Sequence, residues 1–267
     1  MTGLEWLLGY LAIGAVVGFL AGLFGIGGGA IIVPLLAMFF SAQGLPKANL
    51  LHVAVGTSMA SILFTSVASV RAHALRGALR WDITRKITPG ILAGGLLGAY
   101  LTRYFSTFGF ALFFAAFVYI AAGNMLLDRR PKAARELPGA AGMFAVGAVI
   151  GGLSALAAIG GAVMTVPFLL YCNVPLVQAI GTAAMIGFPI ALGGSIGFMI
   201  TGFGAPELPA YSVGYIYLPA LLGLTVASML LAPVGAAVAH RMPTTHLRRF
   251  FALMLLALAT RMLIALW

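Results

Sequence analysis

Ten apolar stretches dominate this chain, at about 4–24, 30–41, 49–70, 87–102, 108–127, 139–159, 162–173, 176–201, 214–239 and 247–267, and its acids fall at their ends or between them. The acids are Glu5, Asp82, Asp128, Glu136 and Glu207. A helix needs about 20 apolar residues to cross the hydrocarbon core of a bilayer. The stretches are continuous, whereas the strands of a membrane β-barrel alternate over roughly ten residues. Hydrophobic residues make up 62% of the 267 positions and charged residues 7%, against about 25% charged in soluble domains. Collagen is excluded because the 35 glycines show no three-residue period. What remains is an all-α polytopic integral membrane protein of about eight to ten membrane segments, without length for a soluble domain.

The few charges give the topology. Fifteen Lys and Arg leave a formal net charge of +10. In a soluble protein that excess would point to nucleic acid, but here it follows the positive-inside rule. The loop 71–86 carries Arg71, Arg76, Arg80, Arg85 and Lys86; the central stretch carries Arg129, Arg130, Lys132 and Arg135; the loop 240–249 carries Arg241, Arg248 and Arg249. These twelve mark the cytoplasmic side. Lys47 and Arg103 fall in the opposite loops, and Arg261 lies within the last stretch. The central linker is therefore expected to be cytoplasmic and both termini extracytoplasmic. The first stretch lacks a basic leader and is too long for a signal peptide, so it reads as a retained span. Cys172, the single cysteine, offers neither a disulfide nor a Cys-based metal site.

The chain is internally duplicated. Residues 18–36, GFLAGLFGIGGGAIIVPLL, align without a gap on residues 151–169, GGLSALAAIGGAVMTVPFL. Further on, Ala54-Val55-Gly56-Thr57-Ser58 matches Ala179-Ile180-Gly181-Thr182-Ala183, and Phe113-Phe114-Ala115 matches Phe250-Phe251-Ala252. The organisation is then a first repeat at 1–127, a basic cytoplasmic linker at 128–138 and a second repeat at 139–267. Each half has an odd number of crossings by the charge count, so the two repeats are expected to be inverted, each containing a glycine-broken helical hairpin.

Those breaks are where a polar solute has a place to bind. Stretches 30–41 and 162–173 are too short to span, and each follows a glycine run, Gly25-Ile26-Gly27-Gly28-Gly29 or Ile159-Gly160-Gly161. Non-helical backbone at membrane depth needs protein or a water-filled cavity around it. Matched short helices in inverted halves are the sequence pointer to a transporter's binding site. The free N–H groups and positive dipole end at the start of each half-helix suit an anion. The candidate substrate ligands are Gly27, Gly28, Gly29, Thr57, Ser58, Gly160, Gly161 and Thr182. The third stretch adds a polar face, with Thr57, Ser61 and Thr65 four apart, and also holds Ser66 and Ser69. His52 is either a further anion or proton site or an interfacial histidine.

Enzyme-like patterns lack their partners. Gly25-Ile26-Gly27-Gly28-Gly29-Ala30 fits G-x-G-x-x-G/A, but no acid lies between Glu5 and Asp82 to meet a ribose. Gly193-Gly194-Ser195-Ile196-Gly197 fits G-x-S-x-G without a base or acid at depth. Gly14, Gly18 and Gly22 read as a close helix-packing face. Neither an enzyme nor a cofactor is expected, and the oligomeric state stays open.

The pattern GLFGIGGGAIIVPLL with HVAVGTSM, and its weaker copy AAIGGAVMTVPFLL with QAIGTAAM, resembles the TauE/SafE sulfite-exporter family over about residues 10–267. The resemblance implies a permease of the bacterial inner membrane that moves sulfite or small organosulfonates outward. Carried over by position, Gly27, Gly28, Gly29, Pro34, Gly56, Thr57 and Ser58 fit the first motif, and Gly160, Gly161, Pro167, Gly181 and Thr182 the second. Ala183 stands where the first half has Ser58, so the hydroxyl set is not symmetric. Alternating access by rocking of the two halves is the expected mechanism, and a passive anion channel is the alternative.

Overall fold

The computed structural model describes residues 3–24, 28–74, 79–127, 134–239 and 244–266. They form helices α1 (Gly3–Phe24), α2 (Gly29–Ala42), α3 (Leu50–Ala74), α4 (Trp81–Leu101), α5 (Thr107–Leu126), α6 (Ala140–Ala157), α7 (Ala162–Tyr171), α8 (Leu176–Thr201), α9 (Leu218–Ala239) and α10 (Thr244–Leu266). Seven are long and apolar enough to cross a membrane: α1, α3, α5, α6, α8, α9 and α10. The all-α polytopic class is therefore the observed one. Helix α4 begins at Trp81, ahead of the apolar stretch expected from residue 87, and brings Asp82, Arg85 and Lys86 into its first turns. The two short helices, α2 and α7, span 14 and 10 residues. At about 1.5 Å per residue neither crosses a core about 30 Å thick. One small addition to the expected elements is a two-stranded antiparallel hairpin, β1 (Ser212–Val213) and β2 (Ile216–Tyr217), just before α9.

Glycines set how the helices pack. Each of Gly14, Gly18 and Gly22 on α1 faces α9 backbone, at Leu224, Ser228 and Ala232 in turn, where a methyl would overlap main-chain atoms. In the other parallel pair, Gly147 and Gly151 of α6 face Ile87 and Ile91 of α4. The register that aligns residues 18–36 with 151–169 takes Gly14 to Gly147 and Gly18 to Gly151. The register that aligns Phe113 with Phe250 takes Ile87 to Leu224 and Ile91 to Ser228. The two pairs thus pack at matching positions, each joining the first helix of one half to the fourth helix of the other. Helices α3 and α8 lie against each other antiparallel, since Gly56 meets Phe198 and Gly194 meets Met59. Helices α5 and α10 also pack together. The largest fully buried side chains, among them Tyr10, Phe40, Phe110, Phe114 and Phe198, fill the space between these pairs.

Candidate functional site

The two glycine breaks come together. Gly28 caps α2 in the left-handed conformation, φ 60°, and its carbonyl accepts from the amides of Ile31 and Ile32, both at 3.0 Å. Helix α6 ends one residue before Ala158, which is itself left-handed at φ 46°. A side chain on Gly29 would overlap the Ala158 carbonyl oxygen and the Ile62 side chain, so the first break rests directly on the second at the midpoint of α3. Gly161 abuts Ala183 and Gly187 on α8. Gly27 lies outside the described residues.

A cavity of about 440 Å³ opens beside the breaks. Its floor holds Gly28, Gly160, Gly161 and Ala162, where α2 and α7 begin. The amides of Gly29 and Ala30 in α2, and of Ala162, Val163 and Met164 in α7, precede the first bond of their helix, and the aligned peptide dipoles place partial positive charge at the same point. Helix α3 contributes Ile62, Thr65, Ser66 and Ser69 to one wall, and α8 contributes Ile180, Ala183, Ala184 and Gly187 to the wall opposite. From α1 and α9 come Ala21 and Ser228. None of the described lining residues is ionisable. The cavity runs from mid-height of α3 toward the end that carries Arg71 and Arg80. A second crevice of about 360 Å³, between Val67, Trp81, Leu92, Phe188 and Leu192, is almost wholly apolar and offers a polar solute nothing.

The hydroxyls on the cavity wall are bonded along their own helix. Thr65 Oγ1 donates to the Ile62 carbonyl at 3.2 Å and Ser66 Oγ to the Leu63 carbonyl at 2.8 Å. Such i−3 bonds leave lone pairs outward, and rotation about the C–O bond redirects the proton to a solute. In the sequence Thr65, Ser66 and Ser69 stand out as polar without belonging to the expected ligand set, and Ser228 carries no signal.

Thr57, Ser58, Thr182 and His52 are buried but do not line this cavity. Thr57 Oγ1 accepts from the amide of Tyr217 at 3.0 Å, and Thr182 Oγ1 accepts from the amide of Arg80 at 3.1 Å. Ser58 Oγ has no hydrogen-bond partner among the described residues. His52 Nε2 lies 3.0 Å from the Thr102 carbonyl oxygen, and its ring packs between Phe110 and Tyr215, each 5.1 Å away. Of the expected ligands, the structure thus gathers Gly28, Gly29, Gly160 and Gly161 at one place. It sets the hydroxyls of the Gly-Thr motif elsewhere. Beside Thr182, the Arg80 guanidinium binds the Asp82 carboxylate at 2.7 Å and 2.9 Å, which holds that carboxyl down at about 2.

The family model described as sulfite exporter TauE/SafE matches residues 10–262. A probable membrane transporter protein of Haemophilus influenzae is 35% identical over 257 residues, covering 94% of this chain and 96% of that protein. Another from Methanocaldococcus jannaschii is 26% identical, covering 89% and 88% of the two chains. A third, YdhB of Bacillus subtilis, is 27% identical over 86% of this chain and 89% of its own. No solved structure matches.

Proposed function

This chain belongs to the sulfite exporter TauE/SafE family of membrane transporters, and from that premise we propose that it exports sulfite or a small organosulfonate across the bacterial inner membrane by alternating access. The observation that carries the reading is the cavity in which the starts of α2 and α7 meet, with no ionisable residue among its described lining. An anion there is held by first-turn amides of the two half-helices and by the hydroxyls of Thr65, Ser66 and Ser69. At about 30 Å³ per water, some 440 Å³ takes a small anion with part of its hydration shell, which suits a solute of a few heavy atoms. Outward movement of an anion from a negative interior runs with the potential, by about 2.3 kcal/mol per charge per 100 mV. A carboxylate coupling site is then unnecessary.

Alternation is supported by the arrangement of the halves, which we read as inverted repeats. The antiparallel α3 and α8 carry the same motif, and the α1–α9 and α6–α4 pairs pack in matching register. By the positive-inside rule the cavity faces the cytoplasm, the side from which an exporter loads.

Proteoliposomes test this directly. Vesicles preloaded with unlabelled sulfite are expected to accumulate labelled sulfite by counterflow, and Ser66→Ala is expected to weaken half-saturation about fivefold, the worth of one hydrogen bond. Flux without counterflow would make the protein a passive channel, and no uptake of sulfite or short sulfonates would remove the substrate assignment.

A further inference from the structure

The Gly-Thr pair of each half is engaged with the other half, at positions that correspond across the duplication. Thr57 on α3 accepts the amide of Tyr217, the residue just before α9. Thr182 on α8 accepts the amide of Arg80, the residue just before α4. Thr57 aligns with Thr182, and the register that takes Phe113 to Phe250 takes Arg80 to Tyr217. Both threonine side chains are fully buried. Each therefore fixes where the fourth helix of the opposite half begins.

The two contacts differ in what surrounds them. The Tyr217 ring lies 6.0 Å from Tyr10 and 5.8 Å from Phe40, edge to face with both. Tyr10 also packs on Phe39 at 5.1 Å and donates through its hydroxyl to Gln43 Oε1 at 2.7 Å. Tyr10 is two turns along α1 from Val17, and Phe40 two turns along α2 from Ile32. Val17 and Ile32 both line the cavity, so these rings stack about 10–12 Å beyond it, on the side away from the arginine-rich loops. At the corresponding positions around Arg80 the sequence has Met143 and Asn173, and no ring stands there. Asn173 is exposed.

We propose that Tyr10, Phe40 and Tyr217 form the extracytoplasmic gate of the transport path, and that Thr57 is the positioning residue that latches it through the Tyr217 amide. Thr182 holds the equivalent joint on the cytoplasmic side, where Met143 and Asn173 stand in place of the two rings. The proposal rests on alternating access as read above and assigns which residues close the outer side. Buried amides that lose their acceptor are costly, so removing the Thr57 hydroxyl favours release of Tyr217 and opening of the gate.

The test is thiol accessibility, which needs no substrate. In a Cys172→Ser background, Ala21→Cys places one thiol on the cavity wall beside Gly28. In oriented vesicles an impermeant maleimide is expected to reach that thiol from the cytoplasmic face and hardly at all from the outer face. Thr57→Val is expected to raise outer-face labelling roughly tenfold, the shift that loss of one buried hydrogen bond gives. Thr57→Ser, which keeps the acceptor, is expected to label as the parent does. Tyr217→Leu removes the ring while keeping the amide, and is expected to raise outer labelling even if Thr57→Val does not fold. The proposal is overturned if the parent labels equally from both faces or if neither variant raises outer labelling. It is also overturned if Thr57→Ser is as accessible as Thr57→Val, or if Thr182→Val opens the outer face as much as Thr57→Val does. A protein that fails to carry sulfite yet shows the expected labelling keeps the gate and loses only the substrate assignment.

Discussion

The two glycine breaks read almost alike, Ile26-Gly27-Gly28 against Ile159-Gly160-Gly161, yet they are built differently. In the first, Gly28, the cap of α2, is left-handed. In the second, the aligned cap Gly161 enters α7 with an ordinary helical φ of −54°, and Ala158, just past α6, is left-handed. At the aligned caps, one duplicated motif thus makes a left-handed entry into its half-helix in one copy and a right-handed entry in the other. The walls differ in the same sense. Helix α3 presents Thr65, Ser66 and Ser69 to the cavity, whereas α8 presents Ala183, Ala184 and Gly187. Matching backbone packing fixes the frame, and side-chain divergence makes one half the polar wall and the other a smooth one.

Substitution of the glycines tests how unequal the breaks are, and Gly29→Ala has the largest expected effect. The added methyl would meet the Ala158 carbonyl oxygen, and main chain of the opposite break cannot turn aside as a side-chain tip does. A loss of at least about 3 kcal/mol is expected, the upper end of overpacking costs. It would be read as a lower melting midpoint in detergent and a reduced yield of folded protein. A variant that melts with the parent would mean that the breaks do not bear on each other.

Gly28→Ala comes next. Its methyl would sit 3.3 Å from Ala21 Cβ and Val17 Cγ1, a tight approach that those side chains relieve by moving a few tenths of an ångström, so the cost lies mainly in the φ of 60°. An L side chain held left-handed costs about 1–2 kcal/mol. The same melting experiment should therefore place Gly28→Ala between the parent and Gly29→Ala. A larger fall than that of Gly29→Ala would show that conformation, not the contact between breaks, governs this region.

Much of this was legible in the sequence because it was written in runs and repeats. The apolar stretches gave the long helices, and the twin glycine runs gave the place where helices break. The apolar pattern places the start of α4 late because Asp82, Arg85 and Lys86 interrupt it, although charged residues extend a helix readily once it leaves the hydrocarbon. The hairpin at Ser212–Tyr217 is too short to leave a periodic signal. The role of Thr57 and Thr182 was illegible for a different reason: their partners are backbone amides of residues in the other half, and an amide has no sequence signature. A buried hydroxyl on a helix face reads the same whether it awaits a solute or holds a neighbouring chain. The cavity hydroxyls sit one and two turns beyond Ser61, and only the packing of α1 and α9 decides that the cavity lies there.

Gly161→Ala has the smallest expected effect and measures the second break alone. Its backbone angles are those any residue adopts in a helix, so no left-handed cost applies. The methyl would lie 3.0 Å from the Ala183 carbonyl oxygen and 3.1 Å from Ile190 Cδ1. Ile190 gives way because it meets the methyl with the tip of a flexible side chain, and the Ala183 carbonyl needs to yield only a few tenths of an ångström. Alanine also restricts the unfolded chain, which returns about 0.4–1 kcal/mol. The net change in stability is expected to stay under about 1 kcal/mol, within the spread of ordinary substitutions. If Gly161→Ala instead destabilises as strongly as Gly29→Ala, α7 is clamped against α8 as tightly as α2 is against α6. The two halves would then be equally rigid at the breaks, and the difference between their turns would be one of sequence history rather than of mechanics.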